Sequence, residues 1–174
     1  MKIVDIQDRR VPVYSGLERR VGTYVVCKYT PQTISELEAW AKKFEIPDLL
    51  ESHKMHTTVI YSRKYISKLH CDLLEGRQLL FKPKGFQLFD SRGPRRKPGT
   101  KALVLLLKAP ELEELHVQAR VLGATHDHYD YHPHVTLTYD CSADFSLSQL
   151  TLPVMTLHAD RLYGEDLDLS KIPK

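Results

Sequence analysis

Two short stretches carry the residues best suited to chemistry: His56-Thr57-Thr58-Val59-Ile60 and His134-Val135-Thr136-Leu137-Thr138. Each is dominated by β-branched and apolar residues and runs on into a tyrosine, Tyr61 or Tyr139, which predicts a strand. Side chains on a strand alternate faces, so His56 and Thr58 share one face, as do His134 and Thr136. Val59, Val135 and Leu137 turn to the other face. One His-x-Thr arises often by chance; two in matching surroundings need a cause. An imidazole titrates near neutrality, so one ring can take a proton from an attacking hydroxyl while the other gives one to a leaving oxygen. Two threonine hydroxyls beside them can hydrogen-bond the non-bridging oxygens of a phosphate as charge builds there. The set suits phosphodiester cleavage by His56, Thr58, His134 and Thr136, and the scheme requires no metal and no cofactor.

The elements around the motifs repeat as well. Tyr24–Tyr29 reads as a strand, and Thr30-Pro31 provides an N-cap residue followed by a proline suited to the first helical position. Thr33 and Glu36 offer an alternative start as a capping box. The helix that follows, about Pro31–Phe44, carries Ile34, Leu37, Ala41 and Phe44 on one stripe, with Pro47 as its stop. Trp40 lies beside that stripe and reads as core in preference to a ligand contact. In the second half, the apolar run Ala102–Leu107 is a strand, and Ala109-Pro110 opens a helix to about Leu122. Leu112, Leu115, Ala119 and Leu122 reproduce the spacing of the first stripe, and Gly123 ends it. Strand, proline-initiated helix, loop, His-x-Thr strand thus occurs twice. The fold class expected is α+β: two pseudo-symmetric antiparallel sheets with outer helices, His56 facing His134 across a central cleft.

Between the halves, Gln78–Lys82 and Gly85–Asp90 look extended with Pro83 as an edge or a break. Ser91–Thr100 is a loop with four basic residues, read either as a solvated hairpin or as a phosphate-attracting flap. A last strand is expected around Val154–Leu157, followed by an acidic end, Tyr163-Gly164-Glu165-Asp166. Residues 1–21 read as an N-terminal extension, with an edge strand as the alternative, and 22–174 as one bilobal domain.

Composition narrows the partners. With 174 residues and 42% hydrophobic content, the chain can bury a core and is not a disordered protein. No run approaches the roughly 18 apolar residues of a membrane span, and the start lacks a secretory apolar stretch. A net charge of +3 is too mild for duplex nucleic acid and fits a small anionic ligand. Cys27, Cys71 and Cys141 are odd in number and form no C-x-x-C pair, which favours reduced core thiols and a cytoplasmic setting. Oligomeric state is left open.

The paired H-x-[ST]-x-hydrophobic motifs resemble the two-histidine (2H) phosphoesterase superfamily, with Thr138 in place of the last hydrophobic residue of the second motif. Within it, His56–Lys64 and Pro133–Asp140 look like the phage anti-CBASS phosphodiesterases, a likeness running from about Thr23 to Asp168. The resemblance implies metal-independent opening of 3′–5′ linkages in cyclic di- and trinucleotide immune signals such as 3′,3′-cGAMP, evading host CBASS defence. It implies the neighbouring 2′-hydroxyl as nucleophile, a 2′,3′-cyclic phosphate as intermediate, and action in the bacterial cytoplasm if the protein is phage-encoded. By the same resemblance Tyr24 and Phe86 are candidates for stacking bases, with core positions as the alternative for each. The resemblance also implies that His126 replaces another aromatic of the family and that Glu165 is the carboxylate that holds a base edge. The late tryptophan of the family pattern is missing from Leu169–Lys174.

Three rivals follow from the same residues. His126, His128, His132 and His134 beside Asp127 and Asp130 could hold a metal, although their spacing matches no common zinc pattern. A housekeeping phosphoesterase of the same fold would open 2′,3′-cyclic phosphates on RNA ends. A non-catalytic sponge would bind cyclic nucleotides and release them intact.

Overall fold

The computed structural model describes residues 21–90, 99–127 and 130–171. The stretch Met1–Arg20, most of the basic loop after Asp90, and His128 lie outside them. Val21, expected to close the extension, already pairs with Asp168. The first strand, β1 (Val21–Tyr29), is succeeded by helix α1 (Pro31–Lys43). Thr30 caps that helix by accepting a hydrogen bond from the Thr33 amide, with Pro31 in the first turn. The Thr30-Pro31 start holds, and Thr33 sits inside the helix. Strand β2 (Thr57–Ser62) starts one residue after His56, which therefore lies just before the strand. β3 (Leu80–Asp90) and β4 (Thr100–Lys108) follow, then helix α2 (Pro110–Val121), β5 (His134–Ser142) and β6 (Leu157–Asp168).

The strands form one antiparallel sheet in the order β2-β1-β6-β3-β4-β5. It consists of two three-stranded halves joined where β3 meets β6, at Leu80–His158 and Phe81–Leu157. The two expected sheets are these halves. β3 continues through Pro83, with the register shifting between Pro83 and Gly85, so the proline marks a bulge within one strand. The last strand starts at Leu157 and runs twelve residues. The acidic Tyr163–Asp166 segment is therefore strand interior, not an end after it. Glu165 and Asp166 point to opposite faces and are both exposed, so the sequence alternates only weakly here and reads as a tail.

Helices and core explain which face is which. Ile34, Leu37 and Ala41 of α1, and Leu112, Leu115 and Ala119 of α2, are buried in one cluster with Val25, Cys27, Val59, Ile60, Leu103, Leu105, Val135, Leu137 and Leu162. Trp40 packs partly buried against this cluster, as the core reading requires, and its indole N–H donates to the Thr151 carbonyl at 3.1 Å. All three cysteines are free; Cys27 and Cys141 are buried and Cys71 is half-buried. No helix among the described residues is long and apolar enough to cross a membrane.

β2 and β5, the outermost strands of the sheet, are brought together by bonds that each half makes to the other. The Leu50 amide, on the approach to β2, donates to the Leu137 carbonyl of β5 at 2.8 Å. On the approach to β5, the Tyr131 hydroxyl donates to Thr58 O at 3.1 Å, and His116 of α2 donates from Nδ1 to Val59 O at 2.8 Å. Thr57 completes the closure: its hydroxyl donates to the His134 carbonyl at 2.9 Å and, having one proton, accepts from the Tyr29 hydroxyl at 2.6 Å. Backbone groups that an edge strand would leave open are thereby satisfied from within the chain.

A strap crosses the helix side of β1 and β6. The Thr23 hydroxyl accepts from the Ile66 amide at 2.7 Å and donates to His70 Nε2 at 3.0 Å, while His70 Nδ1 lies 3.4 Å from Asp166. The order Thr-His-Asp mimics a nucleophile triad, but Thr23 has no exposed surface, so its oxygen cannot meet a substrate. It fastens the strap. Gly164 lets the strap pass: a Cβ there would lie 1.9 Å from Leu69 O.

Thr57→Val keeps the shape of the side chain and removes both hydrogen bonds, leaving the buried Tyr29 hydroxyl and the His134 carbonyl unsatisfied. Urea unfolding should show a loss of roughly 2–3 kcal/mol, and Thr57→Ser should recover most of it. A loss below about 0.5 kcal/mol, the range of an unremarkable surface change, would contradict the role given to this hydroxyl.

Candidate functional site

The two motif histidines are held alike. His56 Nδ1 lies 2.6 Å from Lys54 O, and His134 Nδ1 lies 2.6 Å from His132 O, the carbonyl two residues back in each case. A carbonyl only accepts, so Nδ1 carries the proton in both rings and Nε2 is the atom available for chemistry. His134 begins β5 and His56 immediately precedes β2, and the Thr57 bond to the His134 carbonyl sets the two backbones side by side.

Around His56, the Tyr24 hydroxyl lies 2.7 Å from Nε2 and 3.0 Å from the Thr58 hydroxyl. With Nδ1 protonated, Tyr24 donates to Nε2 and Thr58 donates to Tyr24. Burial pushes the Tyr24 phenol up to about 12, opposed by the Thr58 hydrogen bond and aided by Tyr139, Glu165 and Tyr163 nearby. It stays a donor at any working pH. Burial holds the His56 imidazole below its ordinary value; the Lys28 ammonium and His134 add to this, and the Lys54 carbonyl opposes it. His56 is therefore neutral near pH 7, with its lone pair on Nε2.

Antiparallel partners share a face, which maps the rest of the cleft. Tyr24 pairs with Tyr61 on one side and Glu165 on the other, so all three lie on the face of His56 and Thr58. The Tyr61 ring stands edge-on to Tyr24 with centroids 6.0 Å apart. In the other half, His134 and Thr136 pair with Leu106 and Val104 of β4, and Val104 pairs with Gln87 of β3. Thr136 is half-buried on this face. Phe89, two positions beyond Gln87, meets the His134 ring edge-on at 5.0 Å.

Phe86 requires a correction. It pairs with the buried Leu105, on the helix side of the sheet, and its ring stacks on Trp40 with centroids 5.3 Å apart and planes 12° from parallel. Its core alternative is the one realised, and the cleft aromatic on this strand is Phe89. The two lie three residues apart in an unbroken stretch of strand, so they necessarily face opposite ways. Glu165 stands exposed in the middle of β6 opposite Tyr24. His126 joins His116 and Tyr131 instead of the motif histidines: its ring meets His116 edge-on at 4.5 Å, and His116 stacks on Tyr131 at 4.2 Å. Among the described residues no three His, Cys, Asp or Glu side chains converge on a point where a metal could sit. Lys28, Tyr163 and Phe89 also face the cleft and lie outside the His-x-Thr motifs. Alternation from Tyr24 points to Lys28 and from Glu165 to Tyr163; only the register between strands identifies Phe89.

Comparisons with known proteins give the family of the chain and a likeness of fold. The profile of the family described as "Anti-CBASS protein Acb1" matches residues 21–174. The anti-CBASS protein Acb1 of Salmonella phage S16 is 33% identical over 150 residues, covering 86% of this chain and 90% of its own. That of Acinetobacter phage Ac42 is 34% identical over 154 residues, covering 87% and 95%. Among solved structures, Escherichia coli LigT complexed with 3′-AMP superposes with a TM-score of 0.53 at 15% identity, over 83% of this chain and 86% of its own. That likeness is one of fold. A two-histidine phosphoesterase fold closed at the edges of its sheet, matched to phage relatives over most of its length, places the chain: it belongs to the anti-CBASS protein Acb1 family.

Proposed function

We propose that this protein is a metal-independent phosphodiesterase that cleaves 3′–5′ linkages of cyclic di- and trinucleotide immune signals, such as 3′,3′-cGAMP, in the cytoplasm of the infected bacterium. The observation that carries the reading is the matched anchoring of two imidazoles, each with Nδ1 on the carbonyl two residues back, which leaves proton exchange to Nε2. In this mechanism His56, neutral at working pH, takes the proton of the ribose 2′-hydroxyl, and Tyr24 yields its place on Nε2. The 2′-oxygen attacks phosphorus, and the phosphorus–O5′ bond breaks. His134, protonated, gives its Nε2 proton to the departing 5′-oxygen. The product carries a 2′,3′-cyclic phosphate, which water opens with the two roles reversed. Thr58 and Thr136 hydrogen-bond the non-bridging oxygens. Tyr24 and Phe89 flank the bases, Glu165 accepts from a base edge, and residues 22–174 work as one unit.

Replacing His56 or His134 by Ala should lower kcat and kcat/KM together, since a proton-transfer contact is used chiefly in the transition state. Each should cost on the order of 10²–10⁴-fold. Thr58→Ala and Thr136→Ala should cost roughly 2–4 kcal/mol each if they act like oxyanion donors. A cyclic dinucleotide with a 2′-deoxyribose on the scissile side should resist cleavage, and activity should persist in excess EDTA. Normal cutting of the deoxy substrate would overturn the mechanism. Cleavage of RNA 2′,3′-cyclic ends with no turnover of cyclic dinucleotides would move the assignment to the RNA-end enzyme. Binding with intact ligand recovered after denaturation would make it a sponge.

The depressed His56 value fixes the sign of a pH test. The base form persists below the ordinary imidazole value, so the acid limb of kcat/KM should fall below about pH 6.5. Lys28→Met removes one cause of the depression and should shift that limb upward. A limb above pH 6.5 in the wild type would contradict His56 as the base. Phe89→Ala should weaken ligand binding by about 1–3 kcal/mol if it carries a stacked base, read by calorimetry on the His134→Ala form. Phe86→Ala should instead lower thermal stability; equal binding losses from the two would return Phe86 to the site.

A further inference from the structure

The cleft face carries a row of basic side chains across three strands. His56 lies at the mouth of β2; Thr57 pairs with Cys27, which places Lys28 next to His56 across the strand gap. On its other side Lys28 pairs directly with Arg161 of β6. Lys28 alternates with Val26 and Tyr24, and Arg161 with Tyr163 and Glu165, so both point to the face that holds the Tyr24–His56 contact. Two cations directly opposite each other on a sheet destabilise it, and here a third basic group adjoins them. Burial and Arg161 both disfavour the charged form of Lys28, with Glu165 opposing them. Asp160 pairs with Arg161 and offsets part of the charge, while no carboxylate forms an ion pair with Lys28 among the described residues. Asp160 lies 3.8 Å from Arg161 Nε, and Arg161 extends over the Tyr163 ring at 5.4 Å. Lys28 Nζ donates to the His53 carbonyl at 3.0 Å, a neutral partner that fixes the ammonium without discharging it.

We propose that Lys28 and Arg161 form a subsite for a second phosphate of the substrate, the one not being cut, so that the site selects nucleotides bearing two or more phosphodiesters on one compact ring. The inference rests on the phosphodiesterase reading above. From His56 to Arg161 is two strand spacings, about 10 Å. A phosphate held at Lys28–Arg161 therefore lies beside, and not on, the phosphate engaged by the two imidazoles. A cyclic dinucleotide presents two phosphates on opposite sides of its macrocycle, whereas a linear dinucleoside monophosphate presents the same scissile bond with no second anion.

The test compares kcat/KM for a 3′,3′-cyclic dinucleotide with that for a linear dinucleoside monophosphate. In Lys28→Met and in Arg161→Met the ratio of the two should fall at least tenfold, mainly through KM for the cyclic substrate, and Lys28→Arg should restore most of it. As a second readout, adding Lys28→Met to the His134→Ala form should weaken the Kd for the intact cyclic dinucleotide at least tenfold. An unchanged ratio and an unchanged Kd in an active enzyme would overturn this subsite and leave the proposed reaction standing. Equal losses on both substrates, with Lys28→Arg no better than Lys28→Met, would make Lys28 a structural peg for the turn at Ser52–Lys54. A wild-type protein inert on both substrates would remove the proposed reaction and the subsite together.

Discussion

The structure depends on bringing the two ends of a sheet together. In the order β2-β1-β6-β3-β4-β5 the motif strands are as far apart as six strands allow. The site exists only because the outer strands meet. The buried chain from the Tyr29 hydroxyl through Thr57 to the His134 carbonyl makes that junction at the motifs themselves. A net contribution of about 1 kcal/mol per hydrogen bond is ordinary; the cost of leaving such groups unsatisfied is larger, and this asymmetry makes the junction specific. Because Thr57 separates His56 from Thr58, its hydroxyl couples the position of one motif to the backbone of the other. Tyr131, His116 and Leu50 act in the same sense from the loops and α2, each half sealing the other's edge.

Duplication supplies two histidines in equivalent settings, yet acid–base chemistry needs them in different states. Their Nδ1 atoms are anchored identically, so the difference has to come from neighbours. His56 has Lys28 beside it and accepts from Tyr24, both favouring the neutral ring. His134 meets the edge of Phe89. The symmetry of the fold thus fixes orientation, and departures from symmetry distinguish the two rings. The same departures make one rim of the cleft basic, at Lys28 and Arg161, and the other apolar, at Phe89 and Leu106.

Much of this was legible in the sequence, and the reasons are specific. The helices were readable because Thr30-Pro31 and Ala109-Pro110 are local start signals and because both apolar stripes have helical period. The His-x-Thr pairs were readable because strand alternation alone places the two side chains together. Phe86 and Phe89 were not separable, since a strand sequence with apolar residues on both faces does not say which one meets the helices. Register decides it, through Phe86 opposite Leu105 and the bulge at Pro83–Gly85. β6 is hard to read in the sequence because only Leu157 and Leu162 on it are fully buried, while Glu165 and Asp166 are exposed. The Thr57 junction was invisible for a different reason. A threonine inside a strand is ordinary, and its partner lies 77 positions away.

The central claim is that His56 and His134 engage one phosphorus from two sides while their Nδ1 protons stay on the Lys54 and His132 carbonyls. A crystal structure with a nucleoside 2′,3′-oxovanadate, which mimics the five-coordinate phosphorus, tests it most directly. One vanadium-bound oxygen should lie within hydrogen-bond reach of each Nε2, with Tyr24 displaced from His56 and both Nδ1 contacts unchanged. Vanadate held by only one of the two imidazoles, or rings turned so that Nδ1 faces the metal-oxo group, would contradict it.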